Sequence, residues 1–247
     1  MRDSWRHFVA EFIGTFALVF VGGAAIMIAK DSGSQAGLLG IALAHGLIYA
    51  VMVSALMRIS GHFNPAITLG FLATRRIEVP MASVYILGQL IGAIVAAYVL
   101  KFTFPFTLFE VTRGGGQSLA LQVSGSQGFV LEFIATFFLA LVVFGTAVDP
   151  KAPRIGGLAI GLVVTADILA IGPLTGASMN PARSFGPAVA SGVFEAQLLY
   201  WLAPIAGSVL ACVLYEYLFI RRDVEPADHG TLRPAATTGE SPTRKSR

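Results

Sequence analysis

Two Asn-Pro-Ala triplets, Asn64-Pro65-Ala66 and Asn180-Pro181-Ala182, occupy matching places in two halves of the chain. Asn is a favoured helix N-cap, and Pro at the first helical position gives up an N–H that no intrahelical carbonyl would take. Each triplet therefore starts a helix. The mostly apolar residues behind them, 66–73 and 182–190, make only about two turns each, whereas a bilayer needs roughly 20 residues. The expectation is two re-entrant half-helices that begin inside a membrane.

The membrane itself follows from composition. Of 247 residues, 55% are hydrophobic and 13% charged, against about 25% charged in soluble domains. Six apolar runs reach spanning length, 8–29, 37–57, 81–102, 128–148, 155–173 and 197–220. The net charge of +3 does not point to nucleic acid, because the cations sit in the connections and the tail. With alternating spans, Arg2, Arg6, Arg58, Arg75, Arg76, Lys151, Arg154, Arg221 and Arg222 share one side, and Lys30, Lys101 and Arg113 the other. The positive-inside rule then puts both termini in the cytoplasm, with a plasma or inner membrane as the expected location. Gly22-Gly23-Ala24-Ala25 offers small residues for signal cleavage, but Glu11 inside the first run and the run's repeat partner argue that it stays.

Phe8 to Phe16 matches Phe129 to Phe137 at seven of nine positions, and Tyr85 with Gly92 is echoed by Tyr200 with Gly207. Each unit holds three spans and one half-helix. Since three is odd, the second unit enters the membrane from the opposite face, which makes an inverted repeat. The expected organisation is a short cytoplasmic segment 1–7, a membrane domain 8–220 and a disordered tail 221–247. Within the domain, repeat one is 8–102, an outward loop is 103–126 and repeat two is 127–220.

The half-helix N-termini carry the positive ends of the helix dipoles. Asn64 and Asn180 are thus expected to face each other near the midplane, a polar place hostile to cations. Irregular backbone at that depth is tolerated only where protein or water covers it, so a water-filled path is the simplest consequence. Glu11 and Glu132 repeat at the same place in each unit, and their expected task is to accept hydrogen bonds from N–H groups of the re-entrant loops. Unpaired burial would be costly. Cys212 is the single cysteine, so neither a disulfide framework nor a cysteine metal site is expected. No metal-spaced cluster, activated nucleophile or phosphate loop suggests an enzyme or a cofactor.

Ser60 to Gly70 and Gly176 to Pro187, with the repeated Glu and Arg183 after the second triplet, resemble the two signature loops of the aquaporin family, the major intrinsic proteins. The resemblance spans about residues 8–220. It implies an all-α membrane protein with six transmembrane helices around two re-entrant half-helices, one pore per subunit and a homotetramer in the bilayer. It further implies an outer selectivity filter of His45, Ile168, Ala177 and Arg183, with Ala177 contributing mainly its carbonyl. His and Ile in such a filter resemble plant vacuolar aquaporins.

The expected partners are water and small neutral solutes such as ammonia, urea or hydrogen peroxide, with protons and ions excluded. Glycerol is the alternative, although Ser184 follows Arg183 where glycerol facilitators carry Asp. An inverted-repeat transporter is a remoter one. Asp167, beside Ile168, is expected to face a neighbouring helix, a subunit contact or a protonated niche. His62 is expected on the cytoplasmic approach to the pore, bonding a loop carbonyl or responding to pH. The first loop has a single Gly61 where two small residues often precede the His.

Overall fold

The computed structural model describes residues 4–31, 37–153 and 155–221, and regular structure among them is helical throughout. In chain order the helices are α1 (Ser4–Lys30), α2 (Gly37–Leu56), α3 (Pro65–Ala73), α4 (Val79–Thr103), α5 (Phe106–Thr112), α6 (Gly125–Val143), α7 (Gly156–Thr175), α8 (Pro181–Ser191) and α9 (Gln197–Tyr215). Single π turns extend α6 to Val148 and α9 to Ile220. With those extensions, α1, α2, α4, α6, α7 and α9 are long and apolar enough to cross a membrane. The tail from 222 onward, Arg2 and Arg154 lie outside the described residues.

The two short helices start where the triplets predict. Asn64 and Asn180 are both extended N-caps whose side chains accept from Ala66 N–H and Ala182 N–H, with Pro at the first helical position. Their 9 and 11 residues correspond to about 14 and 17 Å of helix, half of a bilayer core. α8 stops at Gly192, whose φ of 77° closes the helix in the left-handed region.

Packing repeats across the two units. α1 lies on α4 as α6 lies on α9, and α2 meets α7 between the units. Each half-helix packs on the last span of the other unit, α3 on α9 and α8 on α4. Lipid tails give membrane helices no hydrophobic reason to associate, so small residues that allow close approach decide the contacts. A Cβ added to Gly92 would come within 2.5 Å of the Phe12 carbonyl oxygen, and its repeat partner Gly207 abuts the Phe133 carbonyl in the same way. Gly46 and Gly161 press on each other's carbonyls where α2 crosses α7. The molecule is thus an inverted repeat whose half-helices are wedged into the middle of a six-helix bundle.

The segment between the units is more structured than its composition suggests. It holds α5 and a 3-10 turn at Arg113–Gly115, and the turn leans on Gly23 of α1. Pro105 as the N-cap and Arg113 in the left-handed region, φ 52°, delimit α5.

Candidate functional site

Both re-entrant loops hang on a buried carboxylate. Glu11 on α1 accepts from the backbone N–H of His62 at 2.9 Å and Phe63 at 2.7 Å, from Gln89 Nε2 at 2.6 Å and from the Ser60 hydroxyl. Glu132 on α6 accepts from the N–H of Ser178 at 2.8 Å and Met179 at 2.7 Å and from the Thr175 hydroxyl at 2.7 Å. Both carboxylates are fully buried, a position sustained only by such donors. The repeat offset is 115 between Ser60 and Thr175 but 116 between Phe63 and Met179. The single Gly61 therefore stands against Gly176-Ala177, and the first loop reaches its anchor with one residue fewer.

Those anchors set the two caps face to face. Asn64 Nδ2 donates to the Met179 carbonyl at 2.7 Å, and Asn180 Nδ2 donates to the Phe63 carbonyl at 2.8 Å. Each amide oxygen is already held by its own helix, through Ala66 N–H at 2.9 Å and through Ala182 and Arg183 N–H at 3.0 and 3.3 Å. An amide nitrogen has two N–H groups. One of each pair is committed across the loop junction, and the second remains for whatever occupies the space between them. Phe63 and Met179, at φ 48° and 52°, turn the chain so that their carbonyls point at the opposite Asn.

Asn64 and Asn180 line a narrow cavity of about 10 Å³ among buried residues, together with Leu18, His45, Tyr49 and Val164, room for roughly one water. Ile168 and Arg183 line both this cavity and a wider vestibule of about 490 Å³. They mark the neck between the two. His45 and Ala177 reach the same neck from the side of the small cavity, so the structure brings His45, Ile168, Ala177 and Arg183 together.

At that neck Arg183 Nη2 lies 2.8 Å from His45 Nε2, and His45 Nδ1 lies 2.8 Å from the Ile41 carbonyl. A carbonyl only accepts, and a guanidinium only donates. The imidazole is therefore neutral, with its proton on Nδ1 and Nε2 accepting. Gly22 makes room for it, because a Cβ there would overlap the ring. Arg183 Nη1 is buried and has no protein partner among the described residues. Its N–H groups are unspent on the protein at the wall of the neck.

His62 is half-buried and does not line the cavity. Its Nδ1 lies 3.1 Å from the Thr68 hydroxyl oxygen, and its ring sits 4.2 Å from Phe71 and 5.0 Å from Tyr85. Asp167 is buried on α7, and its Oδ2 has no partner among the described residues. Sequence reasoning missed Tyr49, whose hydroxyl donates to the His62 carbonyl at 2.7 Å, and also Gln89 and Gly22. A Tyr inside an apolar run, one helical turn from His45, was the available signal for the first. Among the described residues no group of three His, Cys, Asp or Glu is placed to hold a metal ion.

The chain matches the major intrinsic protein family over residues 1–215. It is 42% identical to aquaporin TIP2-1 of Arabidopsis thaliana over 229 residues, 88% of either chain. It is equally 42% identical to aquaporin TIP4-4 of Zea mays over 225 residues, 87% of either chain. Its fold is similar to the X-ray structure of the aquaglyceroporin from Plasmodium falciparum, with a TM-score of 0.78 at 26% identity over 90% of this chain and 100% of that one.

Proposed function

The chain belongs to the major intrinsic protein family, and from that premise we propose that it is a passive pore for water and small neutral solutes such as ammonia, urea and hydrogen peroxide. The family is one of channels, and six spans make this member an integral multi-pass membrane protein. The observation that carries the reading is the reciprocal exchange in which each Asn amide bonds the other loop's carbonyl.

Water passing the junction meets one free N–H from Asn64 and one from Asn180. Its oxygen has two lone pairs, and both are taken. Such a molecule still donates to its neighbours in the file but accepts from neither, so a proton cannot hop through it. The positive ends of α3 and α8 and the Arg183 charge add an electrostatic barrier to cations, the scheme expected of aquaporin-type pores. Around this point the walls are apolar, Leu18, Leu139 and Val164, so water leaves as readily as it enters.

In this reading His45, Ile168, Ala177 and Arg183 are the filter, Glu11 and Glu132 anchor the loops, and His62 borders the cytoplasmic approach. The His45 nitrogens are both occupied and Ile168 offers no hydrogen bond, which favours solutes that ask for few polar partners. The similar solved structure is titled an aquaglyceroporin, which keeps glycerol as a second substrate to be measured. The assembly is a homotetramer with both termini cytoplasmic. A plasma or inner membrane is the part of the expectation that the TIP-type relatives speak against, and imaging of a tagged chain decides it.

The test is stopped-flow light scattering on proteoliposomes. Wild type is expected to pass water and urea well above protein-free vesicles. The double variant His45→Phe/Ile168→His is expected to keep water and lose urea. Water flux without urea flux in wild type would make the chain a strict water channel.

A further inference from the structure

We propose that Tyr49 forms a second sieve, separate from the outer filter, which sets how much more slowly urea and glycerol move than water. The inference rests on the channel reading above and refines it.

Tyr49 lies four residues beyond His45 on the same face of α2, about 6 Å further along the axis. That displacement carries it past the neck to the neighbourhood of the Asn pair. It is buried, 3% exposed, and lines the same cavity as Asn64 and Asn180.

The inverted repeat supplies its counterpart. Gly46 and Gly161 abut each other where α2 crosses α7, and three residues on from each are Tyr49 and Val164. Both line the cavity. One unit thus contributes an isopropyl group to the passage and the other a phenol, so the ring narrows one wall.

The ring is fixed at both ends. Its hydroxyl donates to the His62 carbonyl at 2.7 Å, and it meets the Phe63 ring edge-on at 6.1 Å between centroids. Phe63 is in turn the residue whose carbonyl takes the Asn180 amide. A side chain so tethered cannot swing aside without disturbing the loop that carries Asn64. Because its proton is committed to His62, the phenol adds bulk rather than another donor. Water needs only the two amide donors at this level, whereas urea or glycerol must also fit past the Tyr49 ring.

The experiment compares wild type, Tyr49→Val and Tyr49→Phe in proteoliposomes, reading the ratios of urea and glycerol permeability to water permeability. Each protein is first shown to elute as wild type in size-exclusion chromatography, with Tyr49→Leu replacing the Val variant if that one misassembles. Tyr49→Val is expected to raise both ratios several-fold, and Tyr49→Phe, which keeps the ring and its contact with Phe63 but loses the His62 tether, to raise them much less. A merely structural role would scale all permeabilities together and leave the ratios alone. Unmoved ratios in a well-assembled Val or Leu variant, or ratios raised equally by Phe, overturn the sieve while leaving the channel intact. A wild type no more permeable to water than empty vesicles overturns the channel reading and this inference with it.

Discussion

Arg183 donates from Nη2 to His45 Nε2 at 2.8 Å, although the two residues are 138 positions apart and belong to different units of the repeat. The bond orients the guanidinium, and Nη1 is left without a partner among the described residues. It also places a charge, whose exposure to lipid would cost at least roughly 2.5 kcal/mol, against a neutral acceptor.

Replacing His45 by Ala removes that acceptor and the ring volume at once. The guanidinium is then free to move across the neck, and the barrier to bulky solutes falls. Glycerol permeability of His45→Ala proteoliposomes is expected to rise several-fold while water permeability stays within a factor of about two, since the single-file region below is unchanged. A parallel loss of both fluxes would show that the ring only supports the fold.

Gly22 gives a sharper test of the same contact from the opposite helix. A methyl group there would overlap the His45 ring, whereas a Cβ at Gly125 meets nothing within 4 Å. Gly22→Ala is expected to push His45 and Arg183 into the neck and bring water permeability close to that of empty vesicles. Gly125→Ala should stay at the wild-type value.

How much of this was legible in the sequence depends on what the residues advertise. The half-helices were, because Asn at the N-cap and Pro behind it state a helix start independently of tertiary context. The two buried acids were, because an intramembrane carboxylate requires donors, and their repeat pointed to the loops. The inward faces of the six spans were not. In a bilayer the outward face is as apolar as the core, so the periodicity that reveals a buried stripe in soluble helices is lost. Tyr49 therefore reads as one more member of an apolar run, and His45 enters the filter through the family resemblance. α5 was hidden because its seven residues gain their stability by lying on α1 and α4 rather than from their own propensity.

Glu132→Gln probes the anchor of the second loop. An amide in place of the carboxylate keeps one acceptor oxygen but turns an NH₂ toward donors that are already buried. Stranding the Ser178 or Met179 N–H costs roughly 1–3 kcal/mol each. The variant is expected to lose its size-exclusion peak at a lower temperature than wild type in detergent, and to lose water flux in vesicles. Thermal stability matching wild type would mean that the loop holds without the carboxylate.

Proton exclusion is expected to depend on the paired amide donors of Asn64 and Asn180. In Asn180→Asp the new carboxylate can still accept from Ala182 and Arg183 N–H, so α8 keeps its cap. The other oxygen, however, now faces the Phe63 carbonyl where an N–H used to donate. The junction loses both the cross-loop bond and one of the two donors that saturate the passing water, and it gains a negative charge where the helix dipoles had been unopposed. Water at that point can again accept from its neighbour, which restores a path for proton hopping. Vesicles loaded with a pH-sensitive dye and given a pH step should therefore equilibrate faster with Asn180→Asp than with wild type, under conditions where both conduct water. If the variant conducts water and remains as proton-tight as wild type, the dipoles and Arg183 suffice for exclusion, and the paired amide donors have a positioning role only.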